Sequence, residues 1–143
     1  MVIKFDSITE RLKELDTVLH ELGLYSAVSE EEIEADLSQR WIIERGLIAA
    51  ASLILDIADH ILVGEFGLHT TTYEDSLLGL RDKQVITSQL YEQLKGLGGF
   101  RNVLVHLYQE IDPYQVWENY HKGMNIFPQF AQEILVWIAS RNT

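Results

Sequence analysis

Apolar residues in this chain recur at steps of three and four, and no strand-like alternation persists anywhere along it. That spacing puts one apolar stripe on a helix and leaves little room for a sheet. Proline, which breaks helices, occurs only at positions 113 and 128. The chain is therefore expected to fold as an all-α, single-domain, up-and-down helical bundle over residues 1–143, with four main helices and one or two short ones. At 143 residues it is long enough to bury a core of its own.

Local signals divide the chain. Ile8, Leu12, Leu15, Leu19 and Leu22 form the first stripe, with Ser7 and Glu10 as a capping box and Gly23 as a stop. This predicts a helix over 7–23. Ser29 and Glu32 form a second capping box, and Glu30, Glu31 and Glu32 suit a helix N-terminus. One long helix is expected from there to about Val63, ending before Gly64 and Gly67. Its small-residue middle, Gly46 to Ser52, reads as a seam for a close neighbour. Thr72 caps a short helix to about Leu80, and another begins near Thr87 or Ser88. Gly96, Gly98 and Gly99 interrupt that helix, the Gly98-Gly99 pair marking a kink or a point of close approach, and it resumes from Phe100 to Ile111. Asp112-Pro113 opens the last helix, which runs to about Ser140 and is expected to kink at Pro128.

Composition narrows the chemistry. There are no cysteines, which excludes disulfides and thiolate zinc sites. No uninterrupted apolar run reaches the ~18 residues of a membrane span, and the first residues lack signal-peptide character, so a cytoplasmic protein is expected. The net charge of −11 argues against tight binding of nucleic acid over a broad surface. A local basic patch, or one assembled by dimerisation, remains compatible with it.

The segment Arg101 to Tyr108 carries the chemistry. On a helical wheel with Arg101 at zero, Tyr108 falls near about −20°, Asn102 near about 100° and His106 near about 140°. Val103, Leu104 and Leu107 share the opposite, apolar side. One face thus presents a guanidinium, an amide, an imidazole and a phenol. Such a group suits RNA cleavage: His106 as general acid or base, Arg101 on the phosphate, Asn102 positioning, and Tyr108 bonding phosphate or stacking on a base. Spacing alone leaves a solvated helix face as the alternative, and it does not name RNA. Asp56 and His60, spaced i,i+4, read as a hydrogen-bonded pair at a helix contact, with a place near a cleft or metal as the alternative. Trp41, Trp117 and Trp137 read as core or interface. His20, His69 and His121 read as surface residues, and Arg40, Arg45 and Lys122 as phosphate contacts if they line a cleft.

Arg101, Asn102, His106 and Tyr108 together resemble the Arg-x4-His-x-Tyr signature of HepT-type HEPN toxins. Leu97-Gly98-Gly99-Phe100 before the motif, the stretch ending in Leu55 to Leu62, Thr72 to Asp75 and Asp112-Pro113 extend the likeness over nearly the whole chain. The resemblance implies an all-α homodimer with the motif helices facing a shared cleft, and a metal-independent ribonuclease without cofactor that acts on RNA such as tRNA. It also implies a nucleotidyltransferase antitoxin of the minimal (MNT) type, which neutralises the toxin by transferring AMP to Tyr108. The alternative is a non-catalytic helical dimer that binds and regulates such a nucleotidyltransferase, which the net charge favours.

Overall fold

The computed structural model describes residues 5–105 and 112–141, and all regular structure among them is helical. In chain order the helices are α1 (Phe5–Gly23), α2 (Glu30–Ala35), α3 (Leu37–Phe66), α4 (Tyr73–Asp82), α5 (Ser88–Leu94), α6 (Leu97–Val105) and α7 (Pro113–Arg141).

Helix α3 is the spine. It packs against α1, α2, α4, α6 and α7. Its central turns are buried on several sides, with Ala50, Ala51, Ile54, Leu55, Ile57, Ala58, Ile61 and Leu62 all at most 1% exposed. A helix surrounded in this way cannot be amphipathic, which is why its apolar stripe is so wide. By length and composition α3 could cross a membrane, but more than half of that stretch is buried inside the bundle. The small residues of the seam admit α1. A Cβ on Gly46 would collide with the Leu22 side chain, itself 2% exposed. A single apolar core joins residues of all seven helices.

Capping explains most of the boundaries. Thr72 Oγ1 accepts from Asp75 N at 3.0 Å, and Thr87 Oγ1 from Leu90 N at 3.1 Å. Asp112 accepts from Tyr114 N at 3.0 Å, with Pro113 in the first helical position. Ser29 Oγ accepts from Glu32 N at 3.1 Å, as its capping box requires. Gly67, at φ +62°, ends α3, and Leu68 N reaches back to Leu62 O at 3.0 Å. Gly67 N also donates to Val63 O at 3.1 Å, the 5→1 bond of a left-handed glycine cap, which is why the helix continues past Gly64.

Three expectations are corrected. The long helix starting at residue 30 is two helices. Asp36 sits extended between them, closing α2 through Asp36 N to Glu32 O at 2.9 Å and capping α3 by accepting from Gln39 N at 3.1 Å. Asp36-x-x-Gln39 is itself a capping signal, hidden under the apolar periodicity. Ser7 is not a cap. It lies inside α1, where its carbonyl and hydroxyl accept from Arg11. Of the three glycines expected to interrupt the motif helix only Gly96, at φ +93°, does so; α6 begins at Leu97 instead of Phe100 and runs through Gly98 and Gly99. The Gly96 N–H is held by Glu74 Oε1 at 2.9 Å. Helix α7 continues through Pro128 to Arg141.

The end of α1 is fastened to α7 by Tyr120, which is fully buried and donates its hydroxyl to Leu22 O at 2.5 Å. Burial raises the phenol above its usual value. The protonated form is the one that folds, so its contribution is complete below the unfolded value of about 10 and is lost as pH climbs through the folded value. Leu22 O also accepts from Tyr25 N at 3.1 Å, so removing the hydroxyl leaves no orphan carbonyl. Tyr120→Phe is therefore expected to cost only about 1 kcal/mol at pH 7 and to flatten the alkaline fall in stability. Urea titrations at pH 7 and pH 10.5 check this, and an unchanged alkaline slope contradicts it.

Candidate active site

Arg101 sits in α6 and turns toward α3 and α4. Its Nε donates to Ser52 Oγ of α3 at 3.1 Å. Its guanidinium carbon lies 5.6 Å from the centroid of the Tyr73 ring at the start of α4, a cation–π distance. Nη1 approaches Asn102 Oδ1 at 3.4 Å, a long contact on an exposed neighbour. The side chain is thus fixed at its inner edge, and the outer donors of the fork are those that can grip a phosphate.

Close packing of helices makes this placement possible. A Cβ on Gly98 would lie 2.7 Å from the Cβ of Tyr73. Glycine is needed there because a Tyr Cβ cannot swing aside. Of the two readings of the Gly98-Gly99 pair, close approach is therefore the one the structure bears out, at Gly98. On the far side of the ring, Ser76 of α4 and Thr70 share a network with Asp59 of α3. Ser76 Oγ reaches Asp59 Oδ1 at 2.5 Å and Thr70 Oγ1 at 2.6 Å. Ser76 is 1% exposed, so this network pins α4 to the spine.

Ser52, Leu53, Leu55, Asp56, Tyr73 and Arg101 line a pocket of about 170 Å³. At ~30 Å³ per water, that space is adequate for a phosphate group and some of its hydration. Asp56 would oppose an anion there, but Arg11 of α1 meets it at 3.2 Å. The charged groups described around the pocket are then two guanidiniums and one carboxylate, locally positive in a chain of net charge −11.

A second cavity, of about 420 Å³, forms a groove between α3 and α6, lined by Trp41, Glu44, Arg45, Ile48 and Val105. Trp41, Arg45, Ile48, Ser52 and Asp56 are spaced by three or four and share one face of α3. Arg101 and Val105 share one face of α6. Glu44 is 2% exposed and accepts from Arg40 Nε at 2.8 Å, which neutralises its charge beneath the groove.

Of the motif residues, Arg101 is at the pocket and Asn102 is beside it in an exposed position. His106 and Tyr108 lie outside the described residues. Asp56 is corrected: it pairs with Arg11 at the pocket, not with His60, which is exposed. Trp41 is 58% exposed in the groove, so it is not a core residue. Trp137 is buried against Phe5, and Trp117 donates to Val28 O at 3.1 Å. Of the three other cations, Arg40 serves Glu44, Arg45 lines the groove, and Lys122 lies elsewhere, at a cavity beside α7. Among the described residues, no group of three or more His, Asp or Glu is arranged to hold a metal ion.

Sequence reasoning passed over Ser52, Tyr73 and Arg11. Ser52 had a signal, as a lone hydroxyl in an apolar seam. Tyr73 and Arg11 had none, because their roles depend on contacts between distant segments.

This fold and pocket define an α-helical bundle of the HEPN kind, with the arginine of an Arg-x4-His-x-Tyr segment held against the central helix. Residues 5–134 match the family described as ribonuclease HepT-like, and the chain belongs to that family. It is 29% identical over 127 residues to the tRNA nuclease HepT of Aphanizomenon flos-aquae, covering 89% of this chain and 86% of that one. Its fold is similar to that of a tri-AMPylated Shewanella oneidensis HEPN toxin in complex with MNT antitoxin. That match has a TM-score of 0.80 at 22% identity and covers 90% of this chain and 96% of that one. A toxin–antitoxin crystal structure with AMP-PNP matches with a TM-score of 0.82 at 23% identity, over 92% of this chain and 98% of that one.

Gly98→Ala tests the packing. Alanine adds up to about 1 kcal/mol of helix propensity, while overpacking costs about 1–3 kcal/mol. Because the contact is Cβ to Cβ, the clash is expected to win. Thermal unfolding should show a lower Tm, and a crystal structure should show the Arg101–Ser52 bond lengthened beyond 3.5 Å. A raised Tm contradicts this.

Proposed function

We propose that this chain is a metal-independent endoribonuclease, the toxin of a toxin–antitoxin pair, acting in the cytoplasm on RNA and first of all on tRNA. The observation that carries the reading is the Arg101 guanidinium, fixed by Ser52 and Tyr73 at a pocket of phosphate size on the helix that leads into His106. Family membership and the tRNA nuclease among its relatives support it.

In the proposed reaction the ribose 2′-oxygen bonds to the adjacent phosphorus and the 5′-oxygen departs. His106 takes the 2′-OH proton or supplies one to the leaving oxygen. Arg101 holds the non-bridging oxygens, whose charge grows in the transition state. Asn102 positions the phosphate, and Tyr108 bonds or stacks on the RNA. A second copy covers the groove that exposes Trp41 and Val105. It brings a second imidazole, so acid and base need not be the same residue. A minimal nucleotidyltransferase neutralises the toxin by transferring AMP from ATP to Tyr108. The solved tri-AMPylated toxin bound to its MNT antitoxin is the precedent. Each AMP carries negative charge and bulk into a site that must receive a phosphate.

One observation favours a second reading, a non-catalytic dimer that binds and regulates a nucleotidyltransferase: the net charge of −11. Purified protein incubated with tRNA in EDTA separates the two. Cleavage is expected, and Arg101→Ala and His106→Ala should each reduce it by at least about 100-fold at unchanged Tm. Cutting that survives His106→Ala, or that requires added magnesium, contradicts the proposal. With the nucleotidyltransferase and ATP, intact mass should rise by whole AMP units, and by none in Tyr108→Phe.

A further inference from the structure

Acidic residues outnumber basic ones by 22 to 11, so an arginine in this chain is expected to meet a carboxylate. Four of the six arginines do. Arg11 meets Asp56, Arg40 meets Glu44, Arg81 meets Asp82 and Arg141 meets Glu65, all within 3.2 Å. Arg45 and Arg101 pair with none among the described residues, and these two line the groove and the pocket beside α3.

Arg101 does not lack a carboxylate nearby. Asp56 lines the same pocket of about 170 Å³. It stands on α3 one turn beyond Ser52, which Arg101 Nε bonds at 3.1 Å. Residues four apart on a helix have Cβ atoms about 6 Å apart, so the guanidinium is within one turn of Asp56. An arginine–carboxylate pair uses the same parallel donors that grip phosphate oxygens. A bond between Arg101 and Asp56 would therefore close the fork to a phosphate. Arg11 prevents it. Its Nε donates to Asp56 Oδ2 at 3.2 Å, and its Nη1 donates to Ser7 O at 3.1 Å and to Ser7 Oγ at 2.5 Å. The bonds to Ser7 fix the guanidinium on its own helix, α1, so the carboxylate is drawn to the arginine and not the reverse. The Asp56 side chain is 59% exposed, and a pair so open to water adds little to stability. Its consequence lies in the pocket.

We propose that Arg11 is a positioning residue of the active site: it holds the Asp56 carboxylate toward α1 and so keeps the Arg101 fork open to phosphate, a role that rests on the reading of Arg101 given above. Without Arg11 the chain's own carboxylate takes the place of the substrate. Asp56 turns into the pocket, pairs with Arg101 and repels an incoming anion. At an effective dielectric of about 20, one uncompensated charge a few ångströms from a phosphate changes its binding by about 10-fold or more.

The test compares the full-length wild type with Arg11→Gln, Asp56→Asn and the double variant. One readout is the Arg101 Nε–H signal by NMR during titration with inorganic phosphate, and the other is tRNA cleavage in EDTA. Arg11→Gln should shift the Arg101 signal before phosphate is added. It should weaken phosphate and lower kcat/KM, each by at least about 10-fold, at nearly unchanged Tm. Asp56→Asn should tighten phosphate, because Arg11 then lends its charge to the pocket. In the double variant the Arg101 signal should return to its original position, and phosphate affinity and kcat/KM to within about 3-fold of wild type. Such rescue separates positioning from support of the fold, since a weakened fold is not repaired by removing a second partner. If Arg11→Gln does not fold, Arg11→Met is read in the same way. Absence of rescue overturns the proposal, as does an unmoved Arg101 signal in Arg11→Gln or weaker phosphate in Asp56→Asn. Phosphate results as expected in a protein that cuts no tRNA leave the role of Arg11 standing and remove the nuclease. Undiminished cleavage by Arg11→Gln does the reverse. A wild-type Arg101 signal that phosphate does not move removes both.

Discussion

The hydrogen bond from Arg101 to Ser52 joins residues 49 positions apart, and the candidate active site takes its shape from it. The bond exists only because α6 lies close against both α3 and α4. Gly98 gives that closeness on one side, where any larger residue meets the Tyr73 Cβ. The Asp59–Ser76–Thr70 network holds α4 in register on the other. A guanidinium on a surface helix ordinarily samples many rotamers. Here its Nε is bonded to α3 and its face lies over Tyr73 of α4. A phosphate would meet a fork that is already ordered, so little orientational freedom is lost on binding.

The acidic balance of the chain is also organised around this groove. Asp56 lines the Arg101 pocket and Glu44 the neighbouring groove, and each is matched by an arginine, Arg11 and Arg40 respectively. Elsewhere acidic side chains line helix starts and exposed faces, where water and ~10 Å Debye screening at 0.1 M salt limit their reach. Net charge is therefore a poor guide to what this surface can bind. A groove a few residues wide is governed by its own groups. Its apolar members, Trp41 and Val105, favour a second protein surface more than bulk water.

The fold was legible where local chemistry decides. Thr72, Thr87, Ser29 and Asp112 cap helices within three residues of themselves, and that information is written in adjacent letters. The wide apolar run of α3 was equally readable as a buried helix. Asp36 obeys the same capping rule but stands inside an apolar periodicity that continues on both sides of it. Two short-range signals conflicted there, and the weaker-looking one prevailed. Ser7 misled because its hydroxyl is used by Arg11 within the helix. At the site, Arg101 and Asn102 were readable as one polar face. Ser52, Tyr73 and Arg11 acquire meaning only through contacts between helices, which no spacing within one segment encodes. The same holds for Asp56, whose partner is 45 residues away instead of four.

The central claim is that one prepositioned guanidinium receives the phosphate. It is tested most directly by following arginine side-chain Nε–H signals by NMR while adding an RNA whose 2′-OH at the cut is replaced by hydrogen. Arg101 should give a sharp, slowly exchanging Nε–H signal before RNA is added and the largest guanidinium shift after, with both effects weakened in Ser52→Ala. A signal for Arg101 that exchanges like a solvated arginine and stays unmoved while RNA binds elsewhere would contradict the account.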